Sequence, residues 1–225
     1  MSWTDSIAID TIKQLKDDFK IEYAVETGTF RGINAELYSS IFKRVITIEV
    51  DKKYALQARY RVADKKNVVV LNCDSTVFLG WLHKQNSTVF FYLDAHFYDS
   101  KRVQRWVVVD ELKALQGYTK CVVCIHDFDN GEFGHLIYGG EPLNFEVVEP
   151  YLKEINPNFH YYTNTECNIY NKFTVSGLPI TVEEGVIDSL EYANSSDIKK
   201  NRGILYATPE VLDLEKYKLR EVKGG

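Results

Sequence analysis

The length and composition of the chain are those of an ordinary globular protein. It has 225 residues, of which 45% are hydrophobic and 26% charged, and these fractions exclude a disordered chain. Its 27 basic and 32 acidic residues give a formal net charge of −5, which argues against a broad nucleic-acid or anionic-membrane footprint. A chain of this length is predicted to form a single domain with a sizeable core.

Cysteine content and the first residues predict a cytoplasmic protein. Four cysteines are too few for a disulfide scaffold. The opening segment MSWTDSIAID lacks the basic and apolar regions of a signal peptide, and no apolar run approaches the roughly 20 residues that span a bilayer. Cys121 and Cys124 form a C-x-x-C within a predicted strand. They are expected on opposite faces as core residues, rather than as a metal or redox pair.

Short apolar runs alternate with amphipathic stretches along the first 127 residues. The runs VVV, VFFYL and CVVCI are continuously apolar, which is typical of parallel strands covered by helices on both faces. The predicted strands are 21–27, 44–50, 67–73, 88–95 and 121–127, and the helices between them are 34–42, 51–63, 76–84 and 102–116. This alternation predicts a doubly wound, mostly parallel α/β sheet.

The remainder of the chain is predicted to complete this sheet. Residues 143–155 have helical character, although Pro150 is expected to kink or divide that helix. A sixth strand is predicted at 158–166 and a seventh at 203–209, and residues 176–197 are interpreted as an insertion over one edge. The expected division is therefore a ligand-binding core in residues 1–130 and a region in 131–225 that completes the sheet.

The first informative motif, ETGTFRG, follows the first predicted strand. Gly28 would allow a sharp turn and a close approach of the backbone to a ligand, and Gly32 would let the next helix pack tightly with its N-terminal amides toward the cleft. A dinucleotide fingerprint would need glycine at 26, 28 and 31, but the chain has Glu26 and Arg31. The Glu26 carboxylate would repel a pyrophosphate and suits a ligand with a cationic amino group.

Acidic residues also follow the second and third predicted strands. Glu49 lies 17 residues after Gly32, where an acid can accept hydrogen bonds from ribose hydroxyls, and Asp51 is the better candidate for the cap of the next helix. Asp74 and Ser75 follow the third strand. They can contact an adenine ring, cap the following helix, or do both.

Two further pairs follow the fourth and fifth strands. Asp94 and His96 come after the most apolar strand, and His96 is a candidate general base, although a lone histidine is more often structural. His126 and Asp127 end the next strand. With Asp94 they can bind a hard divalent cation or form an acid–base pair without metal, and their spacing leaves both alternatives open.

These motifs, taken in order, resemble those of class I S-adenosylmethionine-dependent methyltransferases. The resemblance rests on ETGTFRG (26–32), Glu49, CDS (73–75), LDAH (93–96) and IHDF (125–128), and it covers roughly residues 20–130. It implies a seven-stranded Rossmann-like sheet with S-adenosylmethionine bound at the strand ends. The cofactor-binding residues that it implies are Glu26, Thr27, Gly28, Thr29 and Gly32 at the methionine moiety, Glu49 at the ribose, Asp74 and Ser75 at the adenine, and Asp94 at the amino group, a metal or the acceptor.

The LDAH and HD motifs further resemble O-methyltransferases that act on sugars or other small hydroxylated molecules. The implied catalytic residues are Asp94, His96, His126 and Asp127. Metal-dependent members usually carry Asp-Asp or Asp-Asn after the fifth strand, so His126-Asp127 departs from their pattern and leaves the need for a divalent cation open. The N/D-P-P-Y/F motif of nucleic-acid amino-methyltransferases is missing after the fourth strand.

The sequence therefore predicts methyl transfer to a hydroxyl of a small-molecule or glycan acceptor, with no nucleic-acid or membrane partner. The oligomeric state stays open. Two alternatives remain: a nucleotide-linked oxidoreductase, and a non-catalytic cofactor-binding or assembly protein that keeps the fold.

Overall fold

The computed structural model describes residues 4–82, 87–95, 106–132, 142–167, 169–170 and 203–223. In its first half, strands and helices alternate as the apolar pattern predicts. The elements are β1 Thr4–Asp5, α1 Ser6–Asp18, β2 Tyr23–Thr27, α2 Ile33–Tyr38, β3 Arg44–Ile48, α3 Lys52–Arg61, β4 Val68–Leu71, α4 Ser75–Trp81, β5 Val89–Leu93, α5 Val107–Ala114 and β6 Cys121–His126.

The second half adds further strands and two described helices. These elements are α6 Phe145–Ile155, β7 His160–Asn164, β8 Ile169–Tyr170, β9 Ile204–Thr208, α7 Leu214–Tyr217 and β10 Leu219–Glu221. Pro150 lies inside α6 without ending it, so the helix is not divided there. The predicted insertion at 176–197 lies outside the described residues. No helix in the described part of the chain is long and apolar enough to cross a membrane.

Eight strands form one sheet in the order β10-β7-β9-β6-β5-β2-β3-β4. The strands β4, β3, β2, β5 and β6 are parallel, whereas β9 lies antiparallel between β6 and β7, and β10 pairs antiparallel with β7. The short strands β1 and β8 form a separate antiparallel pair. The predicted doubly wound, mostly parallel sheet is confirmed. The three-residue strand β10, too short to show a period, is an eighth strand beyond the seven predicted.

Helices cover both faces of the sheet. On one face, Leu15 of α1 and Tyr38 of α2 pack with Phe90 of β5, and α3 and α7 lie on this side. On the other face, Leu112 of α5 packs with Phe91, together with residues of α4 and α6. Successive strand side chains point to opposite faces, so each continuously apolar strand contributes to both cores.

The two cysteines of the C-x-x-C motif follow the same rule. Cys121 is buried in the core under α4–α6 and Cys124 is buried in the core under α1 and α2. Both are free thiols, and burial raises their pKa. The prediction that they are core residues on opposite faces is confirmed.

The strand order places a topological switch point between β2 and β5. The chain passes from β2 through α2 to β3 and through α3 to β4, and then returns through α4 to β5 on the other side of β2. In open α/β sheets, ligands bind in the crevice outside the carboxyl ends of the strands at such a point. Thr27 pairs with Leu93, and Leu93 pairs with Ile125, so β2, β5 and β6 end side by side.

Candidate active site

The turn after β2 is held against the ends of both neighbouring strands. The N–H groups of Gly28 and Thr29 donate to the carbonyl oxygen of Ile48 at 3.0 and 3.1 Å. Gly28 has φ +75°, and a Cβ built on it would lie 2.3 Å from the carbonyl oxygen of Asp94. Glycine is therefore required here, because any side chain would clash with the backbone that follows β5.

A buried hydrogen-bonded group lies behind this turn. Glu26 is 1% exposed, and its Oε2 accepts a hydrogen bond from the Thr47 hydroxyl at 2.6 Å. The Thr47 and Thr29 hydroxyls are also hydrogen-bonded to each other. Thr47 was not among the predicted site residues, yet it is the contact that ties Glu26 to Thr29. Its signal in the sequence is a polar residue between two isoleucines, two positions before Glu49.

The Glu26 carboxyl is in an environment that disfavours its charged form. Burial raises its pKa to about 8, and the nearby carboxylates of Asp94 and Glu49 act in the same direction against the hydrogen bonds from Thr47 and Asn34. A cationic group placed at this position would reverse the effect of the carboxylates. The geometry therefore fits a ligand with an ammonium group, as Glu26 suggested from the sequence.

Glu26→Gln is expected to remove part of the pH dependence of stability of the ligand-free protein. The folded pKa of about 8 lies above the usual value of 4.5, so the stability contributed by this group is full below about pH 4.5 and is lost as the pH rises through 8. The variant should be more stable than the wild type at pH 8, by on the order of 3 kcal/mol, with a smaller difference at pH 5. Urea unfolding at both pH values measures the difference.

The exposed Glu22, which pairs with Lys43 at 3.1 Å, supplies the control for this measurement. Glu22→Gln should show the same pH dependence as the wild type. An unchanged difference between Glu26→Gln and wild type at pH 5 and pH 8 would refute the raised pKa.

Glu49 is organised by backbone N–H groups on both sides. Its Oε2 accepts from Phe30 at 2.7 Å and its Oε1 accepts from Asp51 at 2.9 Å. Asp51 caps α3 by accepting from Lys53 and Tyr54 at 2.7 and 3.2 Å, as predicted. Because a carboxylate offers about four acceptor positions, Glu49 keeps capacity for two further donors such as a pair of hydroxyls.

Asp74 and Ser75 lie at the start of α4. Asp74 Oδ1 accepts from the N–H of Thr76 at 2.8 Å and from its hydroxyl at 2.7 Å, so the capping role is confirmed. The Ser75 hydroxyl donates to the buried carboxylate of Glu111 at 2.5 Å. Any contact of this hydroxyl with a ligand would therefore use its oxygen as an acceptor.

Four of the nine predicted cofactor-binding residues line one crevice. Gly28, Glu49, Asp74 and Ser75 line it, together with residues that follow β4 and β5. Thr27 is fully buried and does not line the crevice, but its hydroxyl accepts the N–H of Asp94 at 3.2 Å.

Gly32 lies away from this crevice, against helix α3. It has φ +79°, and a Cβ there would lie 3.0 Å from the Cα and Cβ of Ala58 in α3. Gly32 thus allows α2 to pack closely on α3, which confirms its packing role, but it is not a lining residue of this crevice.

A second cluster lies beside the crevice, at the ends of β5 and β6. The Nδ1 atom of His126 is 3.2 Å from Oδ1 of Asp94 and 3.0 Å from Oδ1 of Asp127. Asp94 and His126 follow the paired residues Leu93 and Ile125, so their side chains share a face of the sheet. Asp127 has φ +57°, a turn that Asp tolerates, and this turn lets consecutive side chains face each other.

The charges of this cluster decide which member can accept a proton. Burial opposes protonation of His126, but the carboxylates of Asp94 and Asp127 outweigh it and raise the His126 pKa to about 10. A protonated imidazole cannot act as a general base at neutral pH. Asp94 has the most exposed side chain of the three, at 22%, and is the better proton acceptor. His96, the other predicted base, lies outside the described residues.

The same three residues fit a divalent cation. One ligand atom from each of Asp94, His126 and Asp127 lies within 4.8 Å of the others. Two carboxylates and one imidazole are a donor set that suits divalent cations of intermediate hardness. The predicted alternatives, a metal site and a metal-free charged cluster, thus use the same side chains.

Comparisons with known proteins show similarity in structure alone. No protein-family model matches the chain, and no curated protein matches its sequence. A Staphylococcus aureus protein proposed to be a caffeoyl-CoA O-methyltransferase has a TM-score of 0.52 and 13% identity, over 91% of this chain and 83% of its own. The O-methyltransferase TomG of Streptomyces achromogenes, involved in tomaymycin synthesis and solved with S-adenosylmethionine, has a TM-score of 0.50 and 15% identity, over 89% and 78%.

A Clostridium thermocellum protein proposed to be an rRNA methylase has a TM-score of 0.51 and 12% identity, over 99% of this chain and 100% of its own. Sequence identities this low support a common fold but do not indicate the acceptor. The chain has the fold of class I S-adenosylmethionine-dependent methyltransferases, with the crevice and the Asp94–His126–Asp127 cluster at the switch point of its sheet.

Proposed function

We propose that this chain is an S-adenosylmethionine-dependent methyltransferase that methylates a hydroxyl of a small-molecule or glycan acceptor. The observation that carries the proposal is the contact between two features at one switch point. The crevice lined by Gly28, Glu49 and Asp74 meets the cluster of Asp94, His126 and Asp127 where the Gly28 turn touches the Asp94 carbonyl.

The crevice offers the polar groups that such a cofactor needs. Glu49 has two acceptor positions left for the ribose hydroxyls, and Asp74, which also lines the crevice, offers a carboxylate to the adenine amino group. The buried Glu26 carboxyl, crowded by other carboxylates, favours a cationic amino group near the Gly28 turn. These roles agree with those implied by the sequence resemblance.

The cluster supplies acid–base chemistry next to the crevice. When bound, S-adenosylmethionine supplies an electrophilic methyl group on a sulfonium, whose in-line transfer to an acceptor oxygen releases the hydroxyl proton. Asp94 accepts that proton, because its side chain is the most exposed of the cluster. His126, held protonated between two carboxylates, orients Asp94 and balances its charge. The predicted base His96 lies two residues after Asp94.

A divalent cation is compatible with the same proposal. Asp94, His126 and Asp127 would hold it, and it would supply a positive charge that lowers the pKa of an acceptor hydroxyl. The small-molecule acceptor is favoured by the acidic cluster and by the net charge of −5, since both disfavour a polyanionic acceptor.

S-adenosylmethionine and its demethylated product S-adenosylhomocysteine are expected to raise the melting temperature. A ligand at 100 times its Kd stabilises the folded state by about 2.7 kcal/mol, which is about 5–10 °C for a chain of this size. Differential scanning fluorimetry measures the shift, and NAD serves as the comparison ligand. Absence of a shift in a folded sample would contradict the proposal, whereas a shift with NAD alone would favour an oxidoreductase.

Glu49→Ala tests the cofactor assignment within the same assay. It should weaken S-adenosylhomocysteine binding at least 10- to 100-fold, because the loss of even one of the two hydrogen bonds to the charged group costs about 1.5–3 kcal/mol. Glu22→Ala, which removes an exposed acid just before β2, should bind as the wild type does. Binding without methyl transfer to any of a panel of hydroxylated acceptors would favour a non-catalytic cofactor-binding protein.

A further inference from the structure

A second cavity lies at the opposite end of the sheet from the crevice. It has a volume of about 630 Å³ and is lined by Tyr23, Arg44, Asn67 and Val89, at the amino ends of β2, β3, β4 and β5. A parallel strand rises about 3.3 Å per residue, so the five steps from Arg44 to Glu49 correspond to about 16 Å. The cavity is therefore separate from the candidate active site.

Among the described residues, the short helix α4 does not extend over this part of the sheet. The helix has seven residues and is about 10 Å long, and its Leu79 packs in the core that includes Ile48 at the other end of β3. Ile46 pairs with Val69 nearer the amino ends, and Val69 is 51% exposed. An apolar floor of β-branched side chains is thus left open to a ligand.

The rim of the cavity is basic. Lys43, Arg44 and Lys66 line it, and no acidic side chain of the described residues does. Lys43 pairs with Glu22 at 3.1 Å, whereas neither Arg44 nor Lys66 has an ion-pair partner in the described part of the chain. Residues 43–66 contain eight Lys or Arg against three acids, although the chain as a whole carries −5. The local charge is thus opposite to that of the protein.

We propose that this cavity binds an organic anion with an apolar body, such as an aromatic or aliphatic carboxylate. The apolar body lies on Ile46 and Val69, and the anionic group faces Arg44 and Lys66. The volume lies within the range of about 300–1,000 Å³ that small-molecule sites occupy. The two cations supply the charge complementarity, and the bare strands supply the apolar area that an inorganic anion would not use.

Fluorescence of 8-anilinonaphthalene-1-sulfonate, an aromatic anion, tests the site on the full chain in saturating S-adenosylhomocysteine. We expect saturable binding of one probe per chain to the folded protein. Dodecanoate or 1-naphthoate should displace it, and the stronger of these competitors identifies an aliphatic or an aromatic body. Decanol, which lacks the charge, and acetate, which lacks the body, should compete at least tenfold more weakly.

Variants locate the probe. Arg44→Gln and Lys66→Gln should each weaken binding about tenfold, since each removes one partner of the anionic group. Val69→Trp should fill the cavity and abolish binding. Lys52→Gln removes an exposed cation at the crevice end of the same strand–helix unit and should leave binding unchanged.

Unchanged binding in both Arg44→Gln and Lys66→Gln would overturn the proposal. Both substitutions are at the surface and should not affect folding, so they test the site even if Val69→Trp does not fold. A probe signal that is present without S-adenosylhomocysteine and is lost at its saturating concentration would place the probe in the crevice and also overturn the proposal. Equal competition by decanol would show that the charge is irrelevant. Displacement by a single-stranded oligonucleotide, with no displacement by either carboxylate, would assign the basic rim to nucleic acid instead.

Discussion

Gly28→Ala is expected to weaken S-adenosylhomocysteine binding at least 100-fold and to lower the free energy of unfolding by about 3 kcal/mol. The alanine Cβ would lie 2.3 Å from the Asp94 carbonyl oxygen, and the clash involves two backbones that belong to adjacent strands. Relief requires the β2 turn and the end of β5 to separate, which opens the junction between the crevice and the Asp94 cluster. Isothermal calorimetry with S-adenosylhomocysteine and urea unfolding measure the two effects.

Substitutions at two other glycines distinguish the effect of the steric clash at Gly28 from the effect of its positive φ. Gly131 also has a positive φ, +82°, but a Cβ there meets nothing within 4 Å, so Gly131→Ala should cost about 1 kcal/mol from its φ alone. Gly80 lies in α4 with nothing within 4 Å, and Gly80→Ala should stabilise the protein by about 0.5–1 kcal/mol. Both controls should bind the cofactor normally. A loss in Gly28→Ala no larger than in Gly131→Ala would show that the close contact is unimportant.

His126→Gln is expected to destabilise the metal-free protein by about 3 kcal/mol at pH 7. It removes the positive charge between Asp94 and Asp127 and leaves two carboxylates facing each other in a largely buried site. The wild type should also lose stability at high pH. Its His126 pKa of about 10 exceeds the ordinary 6.5, so the contribution is full below pH 6.5 and is lost as the pH rises through 10.

Urea unfolding in a chelator at pH 8 and pH 10 measures this loss, which we expect to be about 2 kcal/mol larger in the wild type than in His126→Gln, since the remaining titration of Glu26 is common to both proteins. The double variant His126→Gln/Asp127→Asn should recover stability at pH 7, because it removes one of the two facing charges. Equal pH dependence in wild type and His126→Gln would contradict the charged cluster. Stabilisation of the wild type by Mn²⁺ or Mg²⁺, lost in His126→Gln, would identify the cluster as a metal site.

The fold was predictable where apolar pattern and length agree. The runs around Phe91 and Val123 are apolar at every position, a pattern typical of short strands buried on both faces, and both form central strands. Helix α1 was not predicted, although Asp5 caps it and Ile9, Ile12 and Leu15 recur at helical spacing. The helix is polar on average, so its narrow apolar stripe, which the tertiary structure buries against the sheet, was not recognised from the sequence.

The candidate site was predictable where it depends on position along the chain. Glu26, Glu49, Asp74 and Asp94 each follow a strand, and parallel strands bring their carboxyl ends to one edge. Contacts between different strands were not predictable. The hydroxyl of Thr47 reaches Glu26 only because β3 lies beside β2 in a particular register. The contact of Gly28 with Asp94 likewise depends on β5 being the other neighbour of β2.

The sequence by itself determined approximately where the strands lie, because the apolar pattern is a local property of a chain. It thereby determined the α/β class, the glycine at the first turn and the set of acidic side chains at the strand ends. Only the tertiary structure decided how those side chains act on one another. Strand order, register and the left-handed turn at Asp127 bring two carboxylates to one imidazole, and that proximity sets the charge of His126. In the part of the chain that the structure describes, the short helix α4 does not extend over the basic cavity, and this too depends on which strands lie beneath the helix.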